Sequence, residues 1–171
     1  MIARQWFERF VDRSSCEDAR LLLEFYVVFS RFEYALKKAG YVASGNRAAQ
    51  IDWRRFANAP GHADRFEERA ADDHFVKAVS YLLEYPPRLR RKRGGELDWE
   101  DRSNNPLGST NLGRAVQALK DTRNNLFHGD KDPLFPDGQG RRDRELLRHG
   151  VLVLYTLVEL DDKVRLAFTG G

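Results

Sequence analysis

The stretch RNNLFHGDK, Arg123 to Lys131, decides how this chain reads. Leu112, Val116, Leu119 and Leu126 recur at helical spacing around its start, and stepping 3.6 residues along that stripe lands on Arg123. A guanidinium therefore stands where a leucine belongs. Gly129 offers a left-handed stop just after His128. The pattern predicts a helix that opens after GSTN, where Ser109, Thr110 or Asn111 can cap it, and closes near Gly129.

Working outward, other breaker-free segments read the same way. A first helix runs from about Glu17 to Ala39, with Ser14 or Ser15 as cap and Gly40 as stop. Its inward stripe is Leu22, Phe25, Tyr26, Phe29 and Leu36. Asp52 to Ala57, DWRRFA, forms a short turn pinned by Trp53 and Phe56. Asp72 to Tyr85 is amphipathic, with Phe75, Val79 and Leu82 or Leu83 inward, and ends at Pro86 and Pro87. A last helix spans about Arg141 to Phe168. Its apolar face (Leu146, Leu147, Val151, Leu154, Leu157, Val158) is wide enough to be central in a bundle or partly covered by a second subunit. The expected architecture is all-α: four main helices plus short ones in one domain over 1–171, with 1–15 as an N-terminal extension and 86–110 as a basic, Pro/Gly-rich loop.

The first helix carries a second anomaly. After Leu22, Tyr26 and Phe29, the next inward positions are Glu33 and Leu36. Two helices thus each place one charge, of opposite sign, on a face that should be apolar. Burying either alone costs several kcal/mol, so Glu33 and Arg123 are expected to meet or share a cleft. A buried pair stabilises less than packed apolar residues, which points to a functional reason for it.

Composition removes several alternatives. With 29 Lys+Arg against 26 Asp+Glu, the net charge of +3 permits a nucleic-acid partner without demanding one. A single cysteine, Cys16, excludes an internal disulfide framework and a thiol-based zinc site. Aromatics alternate with charges over the first fifteen residues, so no cleavable signal peptide is expected, and the longest apolar run, VLVLYTLVEL, is too short to span a bilayer. The chain reads as soluble and cytoplasmic. It shows no Walker or dinucleotide loop, and Ser14, Ser15 and Cys16 have no identifiable base.

Asn124 follows the arginine, and His128 stands five residues after it. On an ideal helix the two project about 140° apart, but a long arm and the last turn can bring them to one opening. A histidine at a helix C-terminus has its protonated form favoured. A guanidinium that holds anionic oxygens beside an imidazole that moves protons suits a phosphodiester.

RNNLFHG resembles the Arg-x4-6-His motif of the HEPN superfamily, all-α proteins that are often metal-independent endoribonucleases. FSRFEYALKKAGY, DWRRFA, YLLEYPPRLRR and RNNLFHGDK resemble one of its subfamilies in the same order, over most of the chain. The resemblance implies a homodimer whose two motifs face one cleft, RNA as substrate, no cofactor, and a toxin or antiphage-defence role with a possible antitoxin or regulatory partner protein. Arg123 would bind the scissile phosphate, and His128 would act as base or acid while the ribose 2′-hydroxyl attacks. Asn124 would position the phosphate or the histidine. Glu33, from its place on the stripe, would orient Arg123. The alternative is a non-catalytic HEPN module that binds a nucleotide, RNA or a partner protein. One departure stands out: Asp130 occupies the position where toxins paired with a nucleotidyltransferase antitoxin often carry tyrosine.

RLRRKR, with Arg88, Arg90, Arg91, Lys92 and Arg93, is the densest basic run and reads as an exposed loop able to contact phosphates. Trp99 in ELDWED anchors that loop or stacks a base. His128, Asp130 and Asp132 suit neither a zinc helix pair nor an EF-hand, so no metal is assigned. His62, His74 and His149 default to the surface.

Overall fold

Helix α1 (Cys16–Lys38) buries Phe25, Val28, Phe29, Phe32, Ala35 and Leu36, spaced by threes and fours as a helix packed on one side requires. Tyr26, expected inward, lies 100° round from Phe25 and is 47 % exposed. The helix ends in a Schellman motif: the Tyr41 amide donates to the Leu36 carbonyl, the Gly40 amide to Lys37, and Gly40 takes φ +89°. The computed structural model describes residues 16–45, 49–101, 107–127 and 139–170.

Short elements then turn the chain. Asp52 caps α2 (Trp53–Ala57) by accepting from the Arg55 amide. α3 (His62–Glu67) runs into a 3₁₀ turn over Glu68–Ala71. Asp72 caps α4 (Asp73–Glu84) through the His74 and Phe75 amides, and Phe75, Ala78, Val79 and Leu82 are its buried face. α5 (Asn111–Phe127) opens on the Thr110 hydroxyl, which accepts from the Gly113 amide at 3.1 Å. The expected GSTN cap is present.

Helix α6 (Gln139–Val158) accounts for its own wide apolar face. It packs against α1, α4, α5 and the last helix, α7 (Asp162–Thr169), so it is the centre of the bundle. Gly150 makes that crowding possible, because a Cβ there would meet Phe25 of α1 at 3.0 Å and Leu119 of α5 at 3.1 Å.

Two expectations need correction. The last helix is not continuous: Asp161 takes an extended conformation and its carboxylate accepts from the Lys163 and Val164 amides, which ends α6 and caps α7. The segment 86–110 is also not simply a loop. It contains β1 (Leu89–Arg93) and β2 (Glu96–Glu100), an antiparallel hairpin. Gly94 and Gly95 turn it with φ +57° and +99°, as a two-residue primed turn requires. The molecule is mostly helical, with this one hairpin among the described residues. No helix among those residues is long and apolar enough to cross a membrane.

Candidate active site

Helix α5 presents Leu112, Val116 and Leu119 to the core and continues the stripe through Arg123 to the half-buried Leu126. Glu33 reaches the same place from α1. Arg123 Nη2 lies 3.6 Å from Glu33 Oε2, and its Nη1 donates to Asn124 Oδ1 at 3.2 Å. The two charges predicted to meet do meet, with Asn124 on the same guanidinium.

The pair is not deeply buried, as the stripe suggested. The Arg123 and Glu33 side chains are 33 % and 26 % exposed, because the stripe emerges at the bundle surface near the end of α5. The desolvation penalty falls accordingly, and solvent or an anionic ligand can reach the guanidinium. Elsewhere on the two helices that carry the pair, Trp53 packs on Phe29 and Phe32 of α1, and Lys120 of α5 lies 5.5 Å from the indole.

His128 lies outside the described residues, as do Asp130, Asp132, Ser14 and Ser15. Of the basic run, Arg88 is offset by Asp101, 3.1 Å away, and Arg90, Arg91, Lys92 and Arg93 occupy strand β1. Among the described residues no three His, Cys, Asp or Glu side chains come close enough to hold a metal ion.

Asn125 was missed by the sequence reading. Only 4 % exposed, it donates from Nδ2 to the Arg88 carbonyl at 2.8 Å, tying the root of the hairpin to the last turn of α5. Asp121 and Gln117, four and eight residues earlier, share its buried polar stripe, and Gln117 Nε2 donates to Asp121 Oδ1 at 2.9 Å. The available signal was that four-residue spacing of amides and carboxylate on the side of α5 away from Leu112.

Two histidines expected at the surface are buried, while His74 is exposed as expected. His62 sits 2.9 Å from the Phe56 carbonyl through Nδ1, which therefore carries the proton, and its bare Nε2 lies 3.8 Å from Asp161. Burial pushes its pKa down and outweighs the Phe56 bond and the Asp161 charge, so this contact is not an ion pair at neutral pH. Tyr41 donates to Asp161 at 2.7 Å, and burial together with that carboxylate raises its pKa to about 12. Burial alone would raise the Asp161 carboxyl. The Tyr41 hydroxyl and the Val164 and Lys163 amides overcome that and hold it below its ordinary value. His149 packs against Tyr81 beside Glu145, and burial lowers its pKa as well. Both clusters join helices and stand apart from Arg123. Comparison of the chain with protein-family models, with curated proteins and with solved structures finds no match.

Proposed function

We propose that this protein is a HEPN-type, metal-independent endoribonuclease that works as a homodimer with a composite site. The supporting observation is the Glu33–Arg123–Asn124 cluster: a guanidinium oriented from two sides and one-third exposed, five residues before the motif's histidine in the sequence. In the proposed reaction the ribose O2′ bonds to the adjacent phosphorus as the P–O5′ bond breaks. His128 takes the O2′ proton, an imidazole returns one to O5′, and the products are a 2′,3′-cyclic phosphate and a 5′-hydroxyl. Arg123 holds the non-bridging oxygens as negative charge develops on them. Asn124 and Glu33 position that guanidinium. A role as a toxin or antiphage effector in the cytoplasm follows from the resemblance, and any antitoxin partner belongs to the same proposal.

A second reading has one observation in its favour. Glu33 and Asn124 already engage Arg123 within the fold, as they would in a HEPN module that binds a nucleotide, RNA or a protein without turnover. Incubating RNA with purified protein in EDTA separates the two. The enzyme leaves cyclic-phosphate ends that the His128→Ala and Arg123→Ala proteins do not produce, and the module leaves RNA intact.

A further inference from the structure

Helix α1 is apolar on two opposite sides. Its core face, centred on Phe32, packs into the bundle. At about 100° per residue, Leu23, Val27 and Tyr34 fall within about 40° of one another on the other side, half a turn round from Phe32. They are 62 %, 52 % and 45 % exposed. Ser30, also exposed, lies between Val27 and Tyr34 on the same line. The positions 23, 27, 30 and 34 step by four, three and four, as in the seam between two packed helices. Large apolar side chains lined up on an open surface mark a site of association.

The charges that border this stripe say what covers it. Glu24 and Arg31 stand two turns apart on one flank, about 100° and 80° round from Leu23, one on either side of the stripe's midpoint. Both are held in place. Tyr155 of α6 donates to Glu24 at 3.0 Å, and Arg31 donates to the Ala167 and Phe168 carbonyls of α7 at 3.1 and 2.8 Å. Such a flank complements its own reverse. A second α1 lying antiparallel sets its Arg31 level with Glu24 and its Glu24 level with Arg31, and brings Leu23 level with the partner's Tyr34. A parallel copy would set like charges together. Arg20 and Lys38, further out on the same flank, do come level across the antiparallel pair; both are exposed, where like charges cost least.

We propose that the outer face of α1 is the surface through which two copies of this chain pair, antiparallel about a two-fold axis between Val27 and Ser30. An axis normal to two antiparallel helices keeps each flank on its own side. Glu33 lies about 80° round from Leu23 in the other direction, so the Glu33–Arg123 clusters of both copies open on one side of the helix pair, about 14 Å apart along its length. The partner's Tyr26 comes level with Glu33 there. The proposal rests on the composite-site reading for this consequence and deepens it by naming the surface and the orientation of the second copy.

The test reads the mass of the purified full chain by light scattering across a dilution series. The parent protein is expected at twice the 19.8 kDa chain mass. Val27→Asp sets two carboxylates beside the axis and is expected to weaken pairing at least about tenfold. Glu24→Arg and Arg31→Glu each set like charges level and are expected to weaken it as well. Glu24→Arg/Arg31→Glu together is expected to restore most of it, because the exchanged charges still oppose across the axis. Val76→Asp, on the exposed surface of α4, is expected to leave the mass unchanged. Cooperative thermal melts show that each variant is folded. A monomeric parent, indifference to Val27→Asp, or a charge exchange that fails to restore pairing would overturn the proposal. Cleavage of RNA is scored separately. A dimer that obeys the charge exchange but leaves RNA intact sinks the ribonuclease alone, and a cleaving dimer indifferent to Val27→Asp and to the exchange sinks the pairing alone.

Discussion

At the scale of single residues, the energetics of Arg123 separate function from folding. Its partner Glu33 is 3.6 Å away and both side chains are about a quarter to a third exposed. A pair in that setting is worth roughly 0.2–1 kcal/mol. Arg123→Ala should therefore lower the unfolding free energy in urea by less than about 1 kcal/mol. Its cost to RNA cleavage should be at least about 100-fold, the usual loss when a donor to developing negative charge is removed. A large stability loss with cleavage retained would make the pair structural. The meeting of these two charges was legible in the sequence because helical periodicity alone placed both on inward stripes. Their partial exposure was not, since periodicity gives a residue's angle round the helix but not how far the neighbouring helices extend over it.

At the scale of elements, the joints hold what the sequence reading overlooked. Tyr41 at the end of α1, His62 at the start of α3 and Asp161 at the start of α7 meet in one cluster, and His149 with Tyr81 and Glu145 joins α6 to α4. The charges facing His62 are Asp161 and Arg65, and those facing His149 are Glu145, Lys77 and Arg148. Both imidazoles have pKa values lowered from 6.5, so the unfolded chain binds more protons than the folded one as pH falls through that value. Stability is therefore lost on acidification below about pH 6.5. Asp161, lowered from 3.8, adds a further loss only below that lower value. The melting temperature should drop between pH 7.5 and 5, and His62→Gln/His149→Gln should flatten the slope. An unchanged slope in the double variant would show that other groups carry it. These joints were hard to read because their partners are 99 residues apart, as for His62 and Asp161, and no local spacing marks them. The break at Asp161 and the hairpin did carry local signals. Asp-Asp after an apolar run is a cap, and Gly94-Gly95 between RLRRKR and ELDWE is a two-residue turn. Length outweighed the first, and the charge of the flanking strands masked the second, because half-buried strands alternate apolar and polar residues and β1 is nearly all basic.

At the scale of the whole molecule, helices converge on α6 and leave the Arg123 cluster at the bundle's surface. Tyr26, seven residues before Glu33 and so on the same side of α1, is 47 % exposed there. Under the proposed composite site, this exposed aromatic beside Glu33 is where a second copy would bring the other motif. Light scattering should then give twice the 19.8 kDa chain mass, and Tyr26→Asp should move the protein toward monomer and lower cleavage with it. A monomer that cleaves RNA at full rate would rule out a composite site. A net charge of only +3 also means that whole-molecule attraction for RNA is weak. Under the ribonuclease proposal, affinity would come from local placement of cations rather than from total charge.

The most direct test is cleavage of a defined RNA by the purified protein in EDTA, with His128→Ala prepared identically beside it. A HEPN-type ribonuclease cleaves under those conditions, leaves 2′,3′-cyclic phosphate and 5′-hydroxyl ends, and loses activity with His128. Intact RNA from a folded dimer, or equal cleavage by both proteins, would contradict it.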